Sequence, residues 1–417
     1  MNEAKGWDTS YEWKAVTLLT LSFGLVGLDR WIIAPLFPSI VKDLHLNYQD
    51  LGNIIGALGL AWGVFAGVAG GLSDRFGRRR VLVPTMIAFS LLSGFSGIAQ
   101  GLVGFIVIRA IMGVSEGTFC PTSIAATYDA SKPSRRGFNL GLQQSTFPLF
   151  GLALGPIVAT QLLQVMSWRW IFILVAIPGL ILAVLMAMSI REPHQLKAER
   201  TGSQVVEQRA PLGEVLKHRN VYLGMLALLC AMCGIFTLSA MVPSYLTDYV
   251  KLSSTQMGFV TSAIGFGGFA GQLVLPALSD LAGRKIVTVL SFLVGAVFVY
   301  AFARTGADPV MLFAMLFVAA FFPFGLLGLI TGPIAAEAAP AGLVSFTTGI
   351  IVASGEIFGG GVAPSIAGSI AQHYGIQYTL MMALGGLALG VIVTLFLRET
   401  APRRLAQRAG VAATQAQ

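Results

Sequence analysis

Long apolar stretches alternate with short polar gaps along nearly the whole chain. Each stretch holds roughly 20 predominantly apolar residues, the length that an α-helix needs to cross a hydrocarbon core about 30 Å thick. A membrane barrel would instead show segments of about ten residues with alternating polarity, so the pattern predicts spanning helices. The predicted spanning segments are 15–38, 51–72, 81–100, 102–128, 138–164, 168–190, 221–247, 255–279, 286–303, 309–336, 343–371 and 376–397.

One long polar segment interrupts this series. Residues 191–220 carry ten charged side chains and separate six predicted helices from the next six. This division predicts an N-terminal six-helix bundle, a cytoplasmic linker, a C-terminal six-helix bundle and a cytoplasmic tail. Their predicted bounds are 1–190, 191–220, 221–397 and 398–417.

The composition requires lipid as the solvent of this chain. Hydrophobic residues make up 55% and charged residues 11%, whereas a soluble protein carries roughly 25% charged residues. The net charge of +8 would suggest nucleic acid in a soluble protein. In a membrane protein, basic residues in cytoplasmic loops explain it, so we expect a lipid bilayer and no nucleic acid as partner.

The basic residues also predict an orientation. If both termini are cytoplasmic, 21 of the 27 Lys and Arg residues lie on the cytoplasmic side and 4 lie outside. This excess favours a multi-pass protein with an even number of helices and both termini in the cytoplasm. The compact loops suggest a bacterial inner membrane, and we expect a monomer.

The sequence offers little that would support enzyme chemistry. Cys230-x-x-Cys233 has neither a second cysteine pair nor clustered histidines beside it, so we expect no metal site. The four histidines are not paired at metal spacing, and there is no nucleophile elbow or phosphate loop. We therefore expect no enzyme and no cofactor.

A loop motif occurs twice, 206 residues apart, after the second and eighth predicted helices. Internal repeats are typical of transporters that rock two bundles about a central site. The copies are Gly70-x-Leu72-x-Asp74-Arg75-Phe76-Gly77-Arg78-Arg79 and Asp280-Leu281-Ala282-Gly283-Arg284-Lys285.

The first copy resembles the loop motif of the major facilitator superfamily, whereas the second has Pro276 where the first glycine belongs. The resemblance implies an all-α polytopic fold with twelve transmembrane helices in two pseudo-symmetric six-helix bundles. It also implies a gate at the cytoplasmic ends of the helices. The gating residues would be Asp74, Arg75, Arg78, Asp280 and Arg284.

Five charged side chains fall well inside predicted helices: Asp29, Arg30, Arg109, Glu116 and Glu356. A charge at this depth costs from about 2.5 kcal/mol upward and is a functional candidate by default. Arg109 and Glu116 are seven residues apart and therefore share one helix face. We expect these charges to form a site between the first, fourth and eleventh helices.

The sequence around these charges resembles the anion:cation symporter branch of the superfamily. The resemblance rests on Gly27-Leu28-Asp29-Arg30, Ala34-Pro35 and Lys42-Asp43-Leu44 in the first helix, and on Arg109-Ala-Ile-Met-Gly113-Val-Ser-Glu116 in the fourth. That branch moves organic anions together with protons. It implies that Arg30 contacts a substrate carboxylate, that Arg109 shares anion binding, and that Asp29 and Glu116 carry the coupled proton.

Two positions depart from the branch. Trp62 stands where the branch often has a tyrosine, and Glu356 stands near the position where the branch usually has an asparagine. Glu356 could be a second proton site, a cation partner, or a ligand for a substrate hydroxyl or amine. Further expected substrate contacts are Trp62, Gln143, Tyr245 and Gln272.

These features predict a proton-coupled symporter of a small organic anion that works by alternating access. The chain has no asparagine after Asn220 to bind a polyhydroxylated sugar acid, which favours a monocarboxylate or an aromatic acid. The alternative is a proton-driven antiporter or exporter of a drug or metabolite. Glu356 supports that alternative, and so does Gly151-x-x-x-Gly155-Pro156, which partly resembles an antiporter motif.

Overall fold

Twelve long helices, α1 to α12, fill the part of the chain that the computed structural model describes, residues 7–192, 215–340, 344–401 and 404. Ten of them are long and apolar enough to cross a membrane, and α2 and α3 are 29 and 19 residues long. The predicted all-α polytopic fold is confirmed. The helices are α1 Thr9–Leu44, α2 Tyr48–Phe76, α3 Arg78–Ser96, α4 Leu102–Ala130, α5 Arg136–Leu162, α6 Trp168–Ser189, α7 Arg219–Tyr249, α8 Ser254–Ala282, α9 Arg284–Arg304, α10 Pro309–Ala338, α11 Thr347–His373 and α12 Tyr378–Leu395.

Several helices begin before the predicted apolar segments, because polar N-caps, and not hydropathy, set their first residues. Asp8 accepts a hydrogen bond from the N–H of Tyr11 and begins α1 six residues before its predicted start at residue 15. Asn47 and Asp50 form a capping box at the start of α2. Such side chains satisfy backbone N–H groups that have no partner inside the helix.

The repeat in the sequence is also visible in the backbone. The capping box of α2 recurs 206 residues later as Ser253 and Gln256 at the start of α8. Gly77 and Gly283, the turn residues of the two loop motifs, have φ values of 97° and 103°, a conformation that favours glycine. Both motifs therefore end one helix and begin the next with the same turn.

The two ends of the bundle pack differently. We call the end with residues 7–9 and 396–401 the terminal face and the opposite end the distal face. At the distal face, the halves are joined by hydrogen bonds of Tyr48 to Asp248 and of Gln164 to Thr255. In the terminal half of the helices, a Cβ atom on Gly141 or Gly332 would meet no atom within 4 Å. The close packing described between the halves is thus concentrated on the distal side.

The predicted domain bounds stay predictions. Residues 193–214 of the predicted linker lie outside the described residues, as do 402, 403 and 405–417 of the predicted tail. Within the described part, α6 ends at Ser189 and α7 begins at Arg219, next to the predicted limits of the linker.

Candidate substrate and proton site

Arg30 joins the two halves at the centre of the bundle. It lies two residues before the break in α1 at Ile32 and is 2% exposed. Its Nη2 donates to Oε2 of Glu356 at 3.0 Å. Glu356 lies in a π-helical segment of α11, Gly355–Val362, and such segments are frequent at functional sites. The pair connects positions 326 residues apart in the chain.

Aromatic rings cover both sides of this arginine. The Arg30 guanidinium carbon lies 4.4 Å from the ring centroid of Trp62 and 4.6 Å from that of Phe236. These are cation–π distances. The Nε and Nη1 atoms of Arg30 are buried and have no hydrogen-bond partner among the described residues. The guanidinium is thus held in place with donors left over for an anionic ligand.

Glycine makes room for the Arg30–Glu356 pair. A Cβ atom on Gly360 would lie 2.7 Å from Oε2 of Glu356 and 3.2 Å from Nη2 of Arg30. On the opposite side, the backbone of Gly360 occupies the place of a Cβ atom on Gly59 of α2. The close approach of α2 and α11 therefore depends on small residues at the level of the site.

Two of the three other charges of the first half, Asp29 and Arg109, lie beside this pair. Asp29 accepts a hydrogen bond from the Ser93 hydroxyl of α3 at 2.8 Å. Arg109 of α4 donates through Nη1 to the backbone oxygen of Asp29 at 2.8 Å. Its Nε and Nη2 atoms are buried without a hydrogen-bond partner among the described residues. Arg109 therefore holds the backbone of α1 and retains free donors.

Glu116 is completely buried, and neither of its oxygens has a hydrogen-bond partner in the described part of the chain. Asp29, Arg30, Arg109 and Glu356 all lie within electrostatic range of it. Glu116 is buried because α4 packs closely on α2, where a Cβ atom on Gly117 would lie 2.9 Å from the Cα atom of Trp62. The structure thus brings together all five charges that the sequence placed inside the membrane.

The predicted substrate contacts are more scattered. Trp62 forms a wall of the Arg30 site, as described above. The side-chain amide of Gln143 donates to Ser123 on α4, and its Oε1 atom is buried without a described partner. Gln272 is half-buried on α8. Tyr245 stacks on Tyr249 with ring centroids 5.2 Å apart, close to the distal face.

Three of the predicted gating residues, Arg78, Asp280 and Arg284, lie at the terminal face and have described partners within their own halves. Arg78 donates to Ser73 at 2.6 Å and to Asp129 at 3.3 Å. Arg284 forms ion pairs with Asp280 at 2.6 Å and with Glu337 at 2.9 Å. These described contacts do not bridge the halves. The side chains of Asp74 and Arg75 lie outside the described part of the structure.

Three side chains near these sites were not predicted. Phe236 covers Arg30, and no local signal in the sequence marks it. Ser93 could have been noticed, because Ser90, Ser93 and Ser96 recur every three residues on α3. Glu399 accepts the backbone N–H groups at the start of α9, at 2.8 Å from Arg284 N. An Arg-Glu pair occurs both there and at 191–192, after the last helix of each half.

Comparison with known proteins agrees with this fold. The family model of the Major Facilitator Superfamily matches residues 19–253 and 224–415. The hexuronate transporter of Bacillus subtilis (strain 168) is 30% identical over 65% of each chain. The D-galactonate transporter of Escherichia coli O6:H1 is 24% identical over 88% of this chain and 90% of its own. The 4-hydroxybenzoate transporter PcaK of Pseudomonas aeruginosa is 23% identical over 74% of this chain and 75% of its own.

A solved structure shares the architecture. It is the inward-facing, occupied form of a bacterial homolog to the human lysosomal transporter Spinster, with a TM-score of 0.74. The match covers 93% of this chain and 97% of that chain at 16% identity, so it carries the fold alone.

Proposed function

Because the chain belongs to the major facilitator superfamily, whose members are transporters and not enzymes, we propose that it is a proton-coupled symporter of a small organic anion. The observation that carries the proposal is the state of Arg30. Its guanidinium is buried between two aromatic rings with Nε and Nη1 unpaired. A buried charged donor that lacks a partner is costly, and a substrate carboxylate would supply one.

The walls of the site favour an aromatic or other small monocarboxylic acid over a sugar acid. Trp62 and Phe236 lie against the guanidinium, and Phe147 extends the aromatic wall by meeting Trp62 edge to face at 6.1 Å. A flat apolar substrate body can stack on such rings, whereas several hydroxyl groups would need polar partners. Among the related proteins, this chemistry suits 4-hydroxybenzoate better than hexuronate or galactonate.

The balance of charge supports coupling to protons. The central group holds two arginines and three carboxyl groups, so a substrate carboxylate would bring a fourth. Like charges at short range repel strongly in a medium of low dielectric constant, which favours protonation of one carboxyl group when the anion binds. Arg30 is at present engaged by Glu356, and an incoming anion would compete for it. Glu116, which has no described hydrogen bond to lose, is the proposed proton acceptor. Asp29 and Glu356 are the other proposed proton-coupling residues.

The conformation supports alternating access. The halves pack closely on the distal side, and Arg78 and Arg284 pair within their own halves on the terminal face. If the termini are cytoplasmic in a bacterial inner membrane, as the basic residues predict, this is the inward-facing side of the cycle. Arg78 and Arg284 would change partners when the terminal face closes.

Uptake into proteoliposomes tests the proposal. Labelled aromatic, short-chain and sugar acids are offered with and without an inward proton gradient. We expect the gradient to stimulate uptake of the aromatic acid in the wild type and in Arg304→Ala, whose side chain lies exposed at the end of α9. Arg30→Ala should abolish that uptake. An uptake rate that does not change with the proton gradient would contradict proton symport. Extrusion of the substrate driven by the gradient would instead establish the antiporter.

A further inference from the structure

A basic groove opens at the terminal face between the starts of α1 and α3 and the end of α6. Its volume is about 410 Å³, and it is separate from the central charges. Lys14, Arg79 and Arg191 line it together with one carboxylate, Asp8. The side chains of Lys14 and Arg79 are exposed.

Asp8, the one carboxylate among the described residues that line the groove, is already engaged. Asp8 accepts the N–H of Tyr11 at 3.0 Å and pairs with Nη1 of Arg191 at 3.0 Å. The hydrogen bond from the Tyr11 backbone and the contact with Arg191 lower the pKa of Asp8, so it is ionised at neutral pH. Asp8 and Arg191 neutralise each other, and Lys14 and Arg79 give the groove its net positive charge.

An exposed apolar stripe on α6 leads to this groove. Ile177, Ile181, Val184 and Met188 are 48%, 55%, 59% and 78% exposed. They are spaced four, three and four residues apart, so they lie on one face of the helix. Met188 is both the last member of the stripe and part of the groove wall. The groove therefore opens where a surface suited to acyl chains ends.

A second stripe runs along the neighbouring helix α3, where Ile87, Leu91 and Phe95 are exposed. The two helices are in close contact, since the hydroxyl of Ser90 on α3 occupies the place of a Cβ atom on Gly179 of α6. Helix α3 begins at the basic groove and α6 ends there, so both apolar stripes lead to it. A lipid could contact the groove and a stripe together, whereas a small inorganic ion would contact the groove alone.

We infer that this groove binds the phosphate group of an anionic membrane phospholipid, with the acyl chains along the exposed stripe of α6. Lys14 and Arg79 supply the charge, and the hydroxyls of Ser10 and Ser189, which also line the groove, can donate to phosphate oxygens. The volume accommodates a phosphoglycerol headgroup. The site depends on charge and shape together, so it should prefer phosphatidylglycerol to phosphatidylcholine with the same chains.

Native mass spectrometry of the purified full chain tests this site with these two lipids. We expect Arg79→Gln to reduce retention of phosphatidylglycerol about fivefold, which corresponds to about 1 kcal/mol for one basic side chain near an anionic headgroup. Arg80→Gln is the matched control, because Arg80 is exposed on the same turn but does not line the groove. Lys14→Gln provides the same test should Arg79→Gln fail to fold.

Three results would overturn the inference. The first is equal loss of the lipid in Arg79→Gln and Arg80→Gln, and the second is equal retention of both lipids by the wild type, since general attraction to the membrane would then suffice. The third is displacement of the lipid by an excess of inorganic phosphate, which would make the groove a site for soluble phosphate. Retention of phosphatidylglycerol in the presence of that phosphate supports the lipid site.

Discussion

The five central charges differ in how their polar atoms are satisfied. Asp29 accepts a hydroxyl hydrogen bond, and Glu356 accepts a guanidinium donor. Glu116 has no described partner for either oxygen. Since an ionised carboxylate in a buried site depends on hydrogen bonds and nearby positive charge, these three carboxyl groups should respond differently when an anion takes donors from Arg30. The difference allows single substitutions to separate substrate binding from the proposed proton coupling.

Glu116→Gln should preserve substrate exchange but abolish accumulation driven by a proton gradient, because glutamine keeps the shape of the side chain and cannot carry the proton. Counterflow and gradient-driven uptake in proteoliposomes measure the two activities. Asp308→Asn is a suitable control, since asparagine can replace the exposed cap of α10. An unchanged pH dependence in Glu116→Gln would remove this residue from the coupling step.

Ser93→Ala should move the pH dependence of uptake to higher pH. The substitution removes the hydroxyl that donates to Asp29, so the ionised carboxylate loses a stabilising hydrogen bond and protonation becomes easier. The hydroxyl of Ser96, on the same helix, donates to a backbone oxygen instead, which makes Ser96→Ala the control. The pH for half-maximal uptake is the readout. A parallel shift in both variants would show that helix packing, and not Asp29, is responsible.

At the level of elements, glycine decides where helices of the two halves touch. A Cβ atom on Gly265 of α8 would collide with the backbone of Ala153 and Leu152 on α5. A Cβ atom on Gly141 of α5, nearer the terminal face, would meet no atom within 4 Å. Both residues lie in helices that face the other half, yet only Gly265 is required by the packing in this conformation. The same residue type therefore has a structural role at one position and none at the other.

Gly265→Ala should separate the distal ends of α5 and α8, whereas Gly141→Ala should leave them in place. Spin labels at Val165→Cys and Ser254→Cys, on either side of the distal contact, report the distance between the halves. We expect a longer distance in Gly265→Ala only. The same distance in both variants would mean that the backbone of Ala153 yields without opening the contact.

At the level of the whole molecule, side-chain hydrogen bonds keep the distal face closed. The Tyr48 hydroxyl donates to Asp248 at 2.7 Å, and the amide of Gln49 donates to the backbone oxygen of Ser365 at 3.1 Å. Tyr48 and Gln49 begin α2, and their partners belong to α7 and α11 of the other half. Opening toward the distal side must break these bonds, so they bias the protein toward the conformation described here.

Tyr48→Phe should increase the population that is open at the distal face about fivefold, because one such hydrogen bond contributes about 1 kcal/mol. Distance distributions across the distal face measure that population. Tyr374→Phe, at an exposed position, serves as the control. If Tyr48→Phe and the wild type show the same distribution, the packing of α2 on α11 closes this face without help from the tyrosine.

The membrane-spanning helices, the repeat at 206 residues and the identity of the five central charges could all be read from the sequence. These are local properties, because spanning length, helical phase and the cost of a buried charge depend on the residue and its near neighbours along the chain. The family resemblance carried by Asp29-Arg30 and by the Arg109–Glu116 spacing was available for the same reason.

The pairing of these charges depends on the folded molecule and could not be read from the sequence. Arg30 and Glu356 are 326 residues apart, and nothing in the local pattern links them to each other or to Phe236. Tyr245 is a residue type that often contacts substrates, but it lies near the distal face. Its depth depends on which part of α7 lies at the centre of the bundle, and the sequence does not show this. The closure of the distal face was likewise beyond the sequence, since the proposed alternating access would keep one set of helices in both conformations and change only the packing between the halves.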